Sequence, residues 1–294
     1  MSTLDWTRID RLLELAYEED IGTGDVTSRA TVPEDARMAC AFVARVSGVA
    51  AGMDVVARWY RRVDAGLTFT CLCADGSDFA AGATLATVKG PARSLLSGER
   101  VALNILQRMC GVSTVARRYV DAVRGTGAVI LDTRKTIPGW RELDKLAVRS
   151  GGASNHRQGL YDMALIKDNH IALARERLHT ASVAWAVRAA KTLEGVPVEV
   201  EVDTVEQLWE ALPEQPDMVL LDNMSPDCMR AAIGEARTRC RENGWRVPLF
   251  EASGGITLQT IRAVAEAGVD RISIGALTHS VMALDIGLDF TGAE

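Results

Sequence analysis

The sequence predicts an α/β protein whose larger, C-terminal part is built from parallel βαβ units, arranged as a TIM-like barrel or an open doubly wound sheet. Three observations predict it. From about Ala128, short Val/Ile/Leu-rich runs recur as AVILDT, MALIKD, VPVEVEVD, DMVLLDN, VPLFEASGG and VDRISIGA. Amphipathic helical stretches separate most of them, at 172–194, 205–212, 226–243 and 258–267, which is the alternation of a parallel sheet. Finally, successive runs end in charged residues or glycines: Arg134 and Lys135, Lys167 and Asp168, Glu201 and Asp203, Asp222 and Asn223, Ser253-Gly254-Gly255, and Gly275. In barrels the C-terminal strand ends converge on the face that carries the active site, so this series predicts a functional face.

The first part of the chain has a different texture. Leu4, Ile9, Leu12, Leu13 and Ala16 have helical spacing over 4–19, and EEDIGTGDVTS breaks it. Gly22-Thr23-Gly24 reads as a turn rather than a nucleotide loop. Stretches 37–51 and 67–89 are strand-like and punctuated by Gly and Asp turns. SGERVALNILQRMCGVSTVARRYVDAVR, over 97–124, reads as one long helix or a pair, with Ser97 as a possible cap. The predicted division is 1–115 for an N-terminal domain and 116–276 for the βαβ domain.

Composition excludes several function classes. With 294 residues and 48% hydrophobic content, the chain can bury one large core, or a large core with a smaller partner domain. No apolar run approaches the roughly 20 residues that span a bilayer. The acidic, amphipathic start MSTLDWTRIDRLLELAYEED is neither a signal nor a transit peptide, so a cytoplasmic protein is expected. Cys40, Cys71, Cys73, Cys110, Cys228 and Cys240 are scattered without CxxC or Cys/His ligand spacing; they read as reduced core residues. A net charge of -6 argues against nucleic acid as the main partner.

Within this acidic chain DTRKTIPGWR, NHRQG and LIKDNH concentrate basic residues where apolar runs end. Arg134, Lys135, His156, Arg157 and Lys167 form a candidate pocket for a small polyanion, carboxylate or phosphate. His156 is the histidine that joins this cluster; His170 reads as a helix cap, and His179 and His279 as structural. Glu201 and Asp222 end neighbouring runs, where two carboxylates can accept sugar hydroxyls, hold Mg²⁺ through water, or stabilise a developing cation. Glu199 faces the same side of its strand as Glu201. The alternative is that these carboxylates pair with Lys135 or Lys167 as a structural network. Ser253, Gly254 and Gly255, closing a strand before a helix, have the form of a phosphate cradle, which Gly275 would complete from the next strand. Arg93, Arg100 and Arg108 read as solvated face residues.

At DTRKTIPGWR, GGASNHRQGLYDMALIKDNH, VEVEVD, VLLDN and EASGGI, the chain resembles quinolinate phosphoribosyltransferase, the carboxylating nicotinate-nucleotide pyrophosphorylase of de novo NAD synthesis. The likeness extends to EDIGTGDVTS and SGERVALNILQRMCGVST in the first part. The family pattern TRKTTPGLR differs at Ile137 and Trp140, which changes the wall and not the charges. The resemblance implies an N-terminal α/β sandwich plus an incomplete, open TIM-like α/β barrel, with the tail 277–294 packed back on the sandwich. It also implies a homodimer or a higher oligomer, in which Arg100 reaches the partner's site as a quinolinate ligand.

On that resemblance, quinolinate and phosphoribosyl pyrophosphate would yield nicotinate mononucleotide, pyrophosphate and CO₂. Arg134, His156, Arg157, Lys167 and Arg100 would clamp the quinolinate carboxylates, and Lys135 would touch either substrate. Ser253, Gly254, Gly255 and Gly275 would hold the 5′-phosphate. Glu201 and Asp222 would act with Lys135 as the catalytic set, beside Mg²⁺ carried by pyrophosphate, with no protein metal ligand and no organic cofactor. The competing readings are a molybdate-operon-linked paralogue with another phosphoribosyl acceptor, a catalytically silent metabolite-binding protein, and a Schiff-base lyase using Lys135 or Lys167.

Overall fold

The structure, a computed structural model, describes residues 5–179 and 181–293; Leu4, at the start of the first expected helix, lies outside them. Helix α1 (Trp6–Asp20) begins at Asp5, whose carboxylate accepts from the Thr7 and Arg8 amides. Helix α2 (Val26–Thr31) is capped in the same way by Asp25, so the GTGD turn ends at a capping residue. Strands β1 (Arg37–Ala44) and β2 (Gly48–Val49) precede helix α3 (Met53–Val63). Strands β3 (Thr68–Cys71), β4 (Asp78–Phe79) and β5 (Thr84–Pro91) lead into one uninterrupted helix, α4 (Ala92–Ala122). Ser97 therefore lies inside this helix rather than capping it, and its hydroxyl donates to the Arg93 carbonyl one turn back at 2.8 Å.

Strand β6 (Val129–Leu131) opens the parallel region and is followed by helix α5 (Arg141–Ser150). Strand β7 (Ala164–Ile166) leads to helices α6 (Asp168–Leu178) and α7 (Val183–Ala190). The single helix expected over 172–194 is thus two, because His179 adopts a left-handed φ of 55° and Ser182 caps a new start. Strand β8 (Val198–Val202), helix α8 (Val205–Ala211), strand β9 (Met218–Asp222) and helix α9 (Pro226–Asn243) continue the alternation. Helix α9 has the predicted bounds because Ser225 caps it, Pro226 starts it and Gly244, at φ 68°, stops it. Strand β10 (Leu249–Ser253), helix α10 (Ile261–Glu266), strand β11 (Arg271–Ser273), helix α11 (Ala276–His279) and strand β12 (Ile286–Ala293) complete the chain.

The chain forms two compact units. The first comprises Met1–Arg117, Lys135–Ala153 and Ala276–Glu294; the second comprises Arg118–Arg134 and Ser154–Gly275. Lys135–Ala153, which the sequence places in the βαβ domain, thus belongs with the first unit.

In the first unit β12, β1, β5 and β3 form an antiparallel sheet in that order. The tail pairs with β1 from Met38↔Ala293 to Ala44↔Ile286. Phe42, Trp59, Tyr60, Leu85, Val88, Leu95 and Met109 are fully or almost fully buried between sheet and helices. Phe42 meets Tyr60 edge-on at 6.2 Å between ring centroids. Arg108, expected as a solvated face residue, instead contacts the buried Asp144 at 3.1 Å and the Thr278 carbonyl at 2.8 Å. Of the six cysteines, all free, only Cys40, Cys110 and Cys240 are buried; Cys71 is exposed, which corrects the uniform core reading.

In the second unit six parallel strands run in the order β6-β11-β10-β9-β8-β7. That is the strand sequence of a barrel opened between its first two strands, so β6 and β7 form the edges. Val200, Val202, Val219, Leu221, Phe250, Ala252 and Ile272 point to the helix-covered side and are fully buried. Their neighbours in the alternation, Glu199, Glu201, Asp222, Glu251, Ser253 and Arg271, point to the other side. The fold thus gives one apolar sheet face and one strongly charged interior. No described helix is long and apolar enough to cross a membrane.

Candidate active site

The site grows from the strand ends of the second unit. After β6, Asp132 is fully buried, and its carboxylate accepts from Asn155 Nδ2 and from the His156 amide, both at 2.8 Å. The Ser154 amide donates to the Ile130 carbonyl at 2.8 Å. These bonds fasten the Asn-His-Arg loop to the end of the first barrel strand. Arg157 donates from Nη1 to the Met163 carbonyl at 3.0 Å. Burial lowers the pKa of its guanidinium, and the like charge of Arg134 lowers it further. Two guanidiniums close enough to repel form a site that an anion with two carboxylates would relieve.

At the ends of β7 and β8, Lys167 pairs with Glu201. The structural-network alternative therefore describes this pair in part. The Lys167 amide donates to His170 Nδ1 at 2.9 Å, so His170 caps α6 as expected. At the end of β9, the Asp222 carboxyl is pushed above the usual range first by burial, then by the negative charges of Glu201 and Asp203. Asn223 donates from Nδ2 to Asp222 Oδ2 at 2.6 Å, and its own amide donates to the Ser253 carbonyl at 3.0 Å. Crowded carboxylates at one spot suit a cation or the hydroxyls of a sugar.

Ser253 is the last residue of β10, and Gly254 (φ 93°) and Gly255 (φ 61°) follow in the left-handed region. The next helix, expected to begin close behind them, starts only at Ile261 and has six residues. An anion held here would meet backbone N–H groups turned by two glycines, not an abutting helix terminus. A Cβ at Gly254 would sit 2.1 Å from Asn223 Oδ1. Gly254→Ala is expected to cost about 1–3 kcal/mol, as a side chain forced into positive φ against a neighbour does. Thermal melting and the KM for the phosphorylated substrate would both register it, the latter rising about tenfold or more as the loop shifts. Gly275 follows β11, where the Ile274 amide donates to the Leu131 carbonyl at 2.9 Å.

Arg134, His156, Arg157, Lys167, Glu201, Asp222, Ser253, Gly254, Gly255 and Gly275 all belong to the second unit. Arg100 and Lys135 belong to the first. Arg100 is exposed on α4, where it lines a cleft with Asp20, Gly24, Asp25 and Ser97. Lys135 is exposed, with its carbonyl accepting from Thr278 Oγ1 at 2.8 Å.

The His156 ring does not have the setting its sequence context suggested. Its side chain is 7% exposed, with Nε2 at 3.2 Å from Glu199 Oε2 and 3.3 Å from Glu251 Oε1. Its Nδ1 accepts from the Arg157 amide at 2.7 Å. Sequence reasoning singled out neither Glu251 nor Arg271, nor the anchoring Asp132. A lone charged residue inside an otherwise apolar strand, as in LFEAS, was the available signal.

Known proteins are similar to this chain in sequence and in fold. The N-terminal domain model of quinolinate phosphoribosyl transferase matches residues 25–110, and the C-terminal domain model matches 112–289. The chain is 44% identical over 280 residues to a carboxylating nicotinate-nucleotide pyrophosphorylase of Mycobacterium leprae, covering 93% of this chain and 94% of that one. It is 39% identical over 293 residues to a decarboxylating quinolinate phosphoribosyltransferase of Nicotiana tabacum, covering 94% and 81%. Among solved structures, the nicotinate-nucleotide pyrophosphorylase of Francisella tularensis superposes with a TM-score of 0.86 at 36% identity, over 97% and 96% of the two chains. NadC of Streptococcus pyogenes gives 0.89 at 33% identity, over 100% and 99%. Matched in both domains and over nearly its whole length, the chain belongs to the quinolinate phosphoribosyltransferase family.

Proposed function

We infer that the protein is a quinolinate phosphoribosyltransferase, which joins quinolinate to phosphoribosyl pyrophosphate and releases pyrophosphate and CO₂ to give nicotinate mononucleotide for NAD synthesis. The observation that carries this reading is the pairing of two functions on one set of strand ends. The Arg134–Arg157 pair suits a dianion, and the Glu201–Asp222 pair suits a sugar that becomes cationic.

Quinolinate carries two carboxylates on adjacent ring carbons. Arg134, Arg157 and Lys167 would hold them, together with Arg100 of the partner subunit in a homodimer. Lys167 would exchange its Glu201 contact for substrate as the site fills. Ser253, Gly254, Gly255 and Gly275 would take the 5′-phosphate, and Lys135 the pyrophosphate or quinolinate. Glu201 and Asp222 would accept the ribose hydroxyls and oppose the positive charge that develops on the ribose as pyrophosphate leaves.

Mg²⁺ would enter with phosphoribosyl pyrophosphate and neutralise the leaving group. Asp222, raised by burial and then by the Glu201 and Asp203 charges, fits a hydrated cation nearby, and no side chain is assigned as its ligand. When the ring nitrogen has displaced pyrophosphate, the pyridinium withdraws the electron pair left as the 2-carboxylate departs as CO₂. Proton delivery to that carbon then completes the product. The protein's own contribution to this step is to orient the ring, so no organic cofactor is required. The setting is proposed to be the cytosol.

Purified protein with quinolinate, phosphoribosyl pyrophosphate and Mg²⁺ is expected to form nicotinate mononucleotide, whereas nicotinate in place of quinolinate gives none. Turnover of nicotinate, or of neither acid by folded protein, contradicts the assignment.

A further inference from the structure

Beneath the strand ends lies a second charged layer, formed wholly within the second unit. Glu199 on β8 and Glu251 on β10 are fully buried, and β9 separates their strands. Both reach the His156 Nε2, and Arg271 Nε on β11 lies 3.3 Å from Glu251 Oε2. None of the four carboxylate oxygens has a well-aligned hydrogen bond among the described residues, so charge and enclosure, more than geometry, hold the group together. Buried charges of this kind demand balance. Two carboxylates face one guanidinium and one imidazole, and a single additional proton makes the cluster neutral. Burial pushes the Glu199 carboxyl upward, which favours that proton on the carboxylate pair. An Nδ1 that accepts from the Arg157 amide carries no proton, which places the ring proton on Nε2, facing the carboxylates.

Both ring nitrogens are thus spent on the protein. We propose that His156 is a positioning residue and not a quinolinate ligand: Glu199 and Glu251, the latter steadied by Arg271, lock the ring, and the ring in turn fixes the Arg157 backbone. Arg157 then presents its guanidinium at a set angle to the substrate carboxylate. The inference rests on the proposed quinolinate chemistry and replaces the direct contact that the residue pattern suggests for His156. The same three ligand atoms lie within 4.8 Å of one another, so a bound transition metal is the rival occupant. Arg271 against Glu251 and the neutral proton count favour the metal-free cluster.

The test uses the full-length protein labelled with ¹⁵N-histidine, with His156→Asn to assign the ring signals. On saturation with quinolinate, both His156 ring nitrogens are expected to keep their shifts and tautomer. A ring signal that moves to a new protonation or hydrogen-bonded state overturns the proposal. Glu199→Gln and Glu251→Gln are expected to weaken quinolinate binding about 10–100-fold, as loss of a supporting partner does. Affinity for phosphoribosyl pyrophosphate should stay within about twofold, since a change of less than ~0.5 kcal/mol marks an uncoupled site. Unchanged quinolinate affinity in folded variants, or an equimolar metal in the purified wild type, also overturns it. If the variants fail to fold, the wild-type ring signals decide. Absence of quinolinate binding by the wild type defeats this inference and the proposed function together, whereas binding with a moving ring defeats this inference alone.

Discussion

Arg134→Ala is expected to lower kcat/KM for quinolinate by a factor of about 30 to several thousand, with the KM for phosphoribosyl pyrophosphate little changed. Truncating one member of a desolvated charge-to-charge contact costs roughly 2–5 kcal/mol, and each 1.4 kcal/mol is a factor of ten. Arg134 lies close enough to Arg157 for its charge, after burial, to disfavour the charge of Arg157. Without substrate this repulsion is a cost to the fold. Removing one guanidinium should therefore leave the melting temperature unchanged or higher while catalysis collapses. Arg134→Lys should recover only part of the loss, because an ammonium cannot make the two parallel hydrogen bonds of a guanidinium to a carboxylate. Steady-state kinetics with each substrate varied in turn, alongside thermal melts, separates the two effects.

The second large effect is expected at Asp222. Asp222→Asn should reduce kcat by about 10²–10³, the scale on which a single preorganised charge at a developing ion is felt. Stability should move the other way. The folded-state pKa of Asp222 is raised by burial and by the Glu201 and Asp203 charges. Its ionisation therefore costs stability at pH values above that raised pKa, and the cost vanishes in acid, where the carboxyl is protonated in both folded and unfolded chains. Asp222→Asn is thus expected to melt at or above the wild-type temperature at pH 7 and to match it near pH 3. The wild-type acid limb of kcat should fall at a pH above the ordinary aspartate range. A variant that is less stable at neutral pH and fully active would place Asp222 in a structural pair instead.

The parts of this fold that were legible in the sequence are those where local pattern and tertiary environment agree. VEVEVD and VLLDN become β8 and β9 because one face of each strand meets apolar helices and the other meets charge. PDCMRAAIGEARTRCREN becomes α9 because its cap, its proline and its glycine all act locally. What was not legible depends on partners distant in sequence. Strand β12, IGLDFTGA, is held by β1 from the far end of the chain, and its glycines weaken any local strand signal. Helix α5, RELDKLAVRS, is short and polar, yet Asp144 and Lys145 are buried within it and Arg108 satisfies the carboxylate.

The candidate site divides along the same line. Strand ends are positions in a repeating pattern, so Arg134, Lys167, Glu201, Asp222 and the SGG turn could be picked out one by one. The layer below them could not, because Glu199 and Glu251 meet only when β9 is laid between their strands and the Asn-His-Arg loop is tied down by Asp132. His156 shows the consequence. Its neighbours in sequence suggest a binding loop, but its ring turns inward to carboxylates that no spacing rule connects to it.

The central claim is that this chain couples phosphoribosyl transfer to decarboxylation of quinolinate, and release of labelled CO₂ from quinolinate carrying ¹⁴C in the 2-carboxylate tests it most directly. One equivalent of label per nicotinate mononucleotide formed, released only when phosphoribosyl pyrophosphate and Mg²⁺ are present, is the predicted result. Label retained in the product, label released without phosphoribosyl pyrophosphate, or no release by folded protein would contradict it.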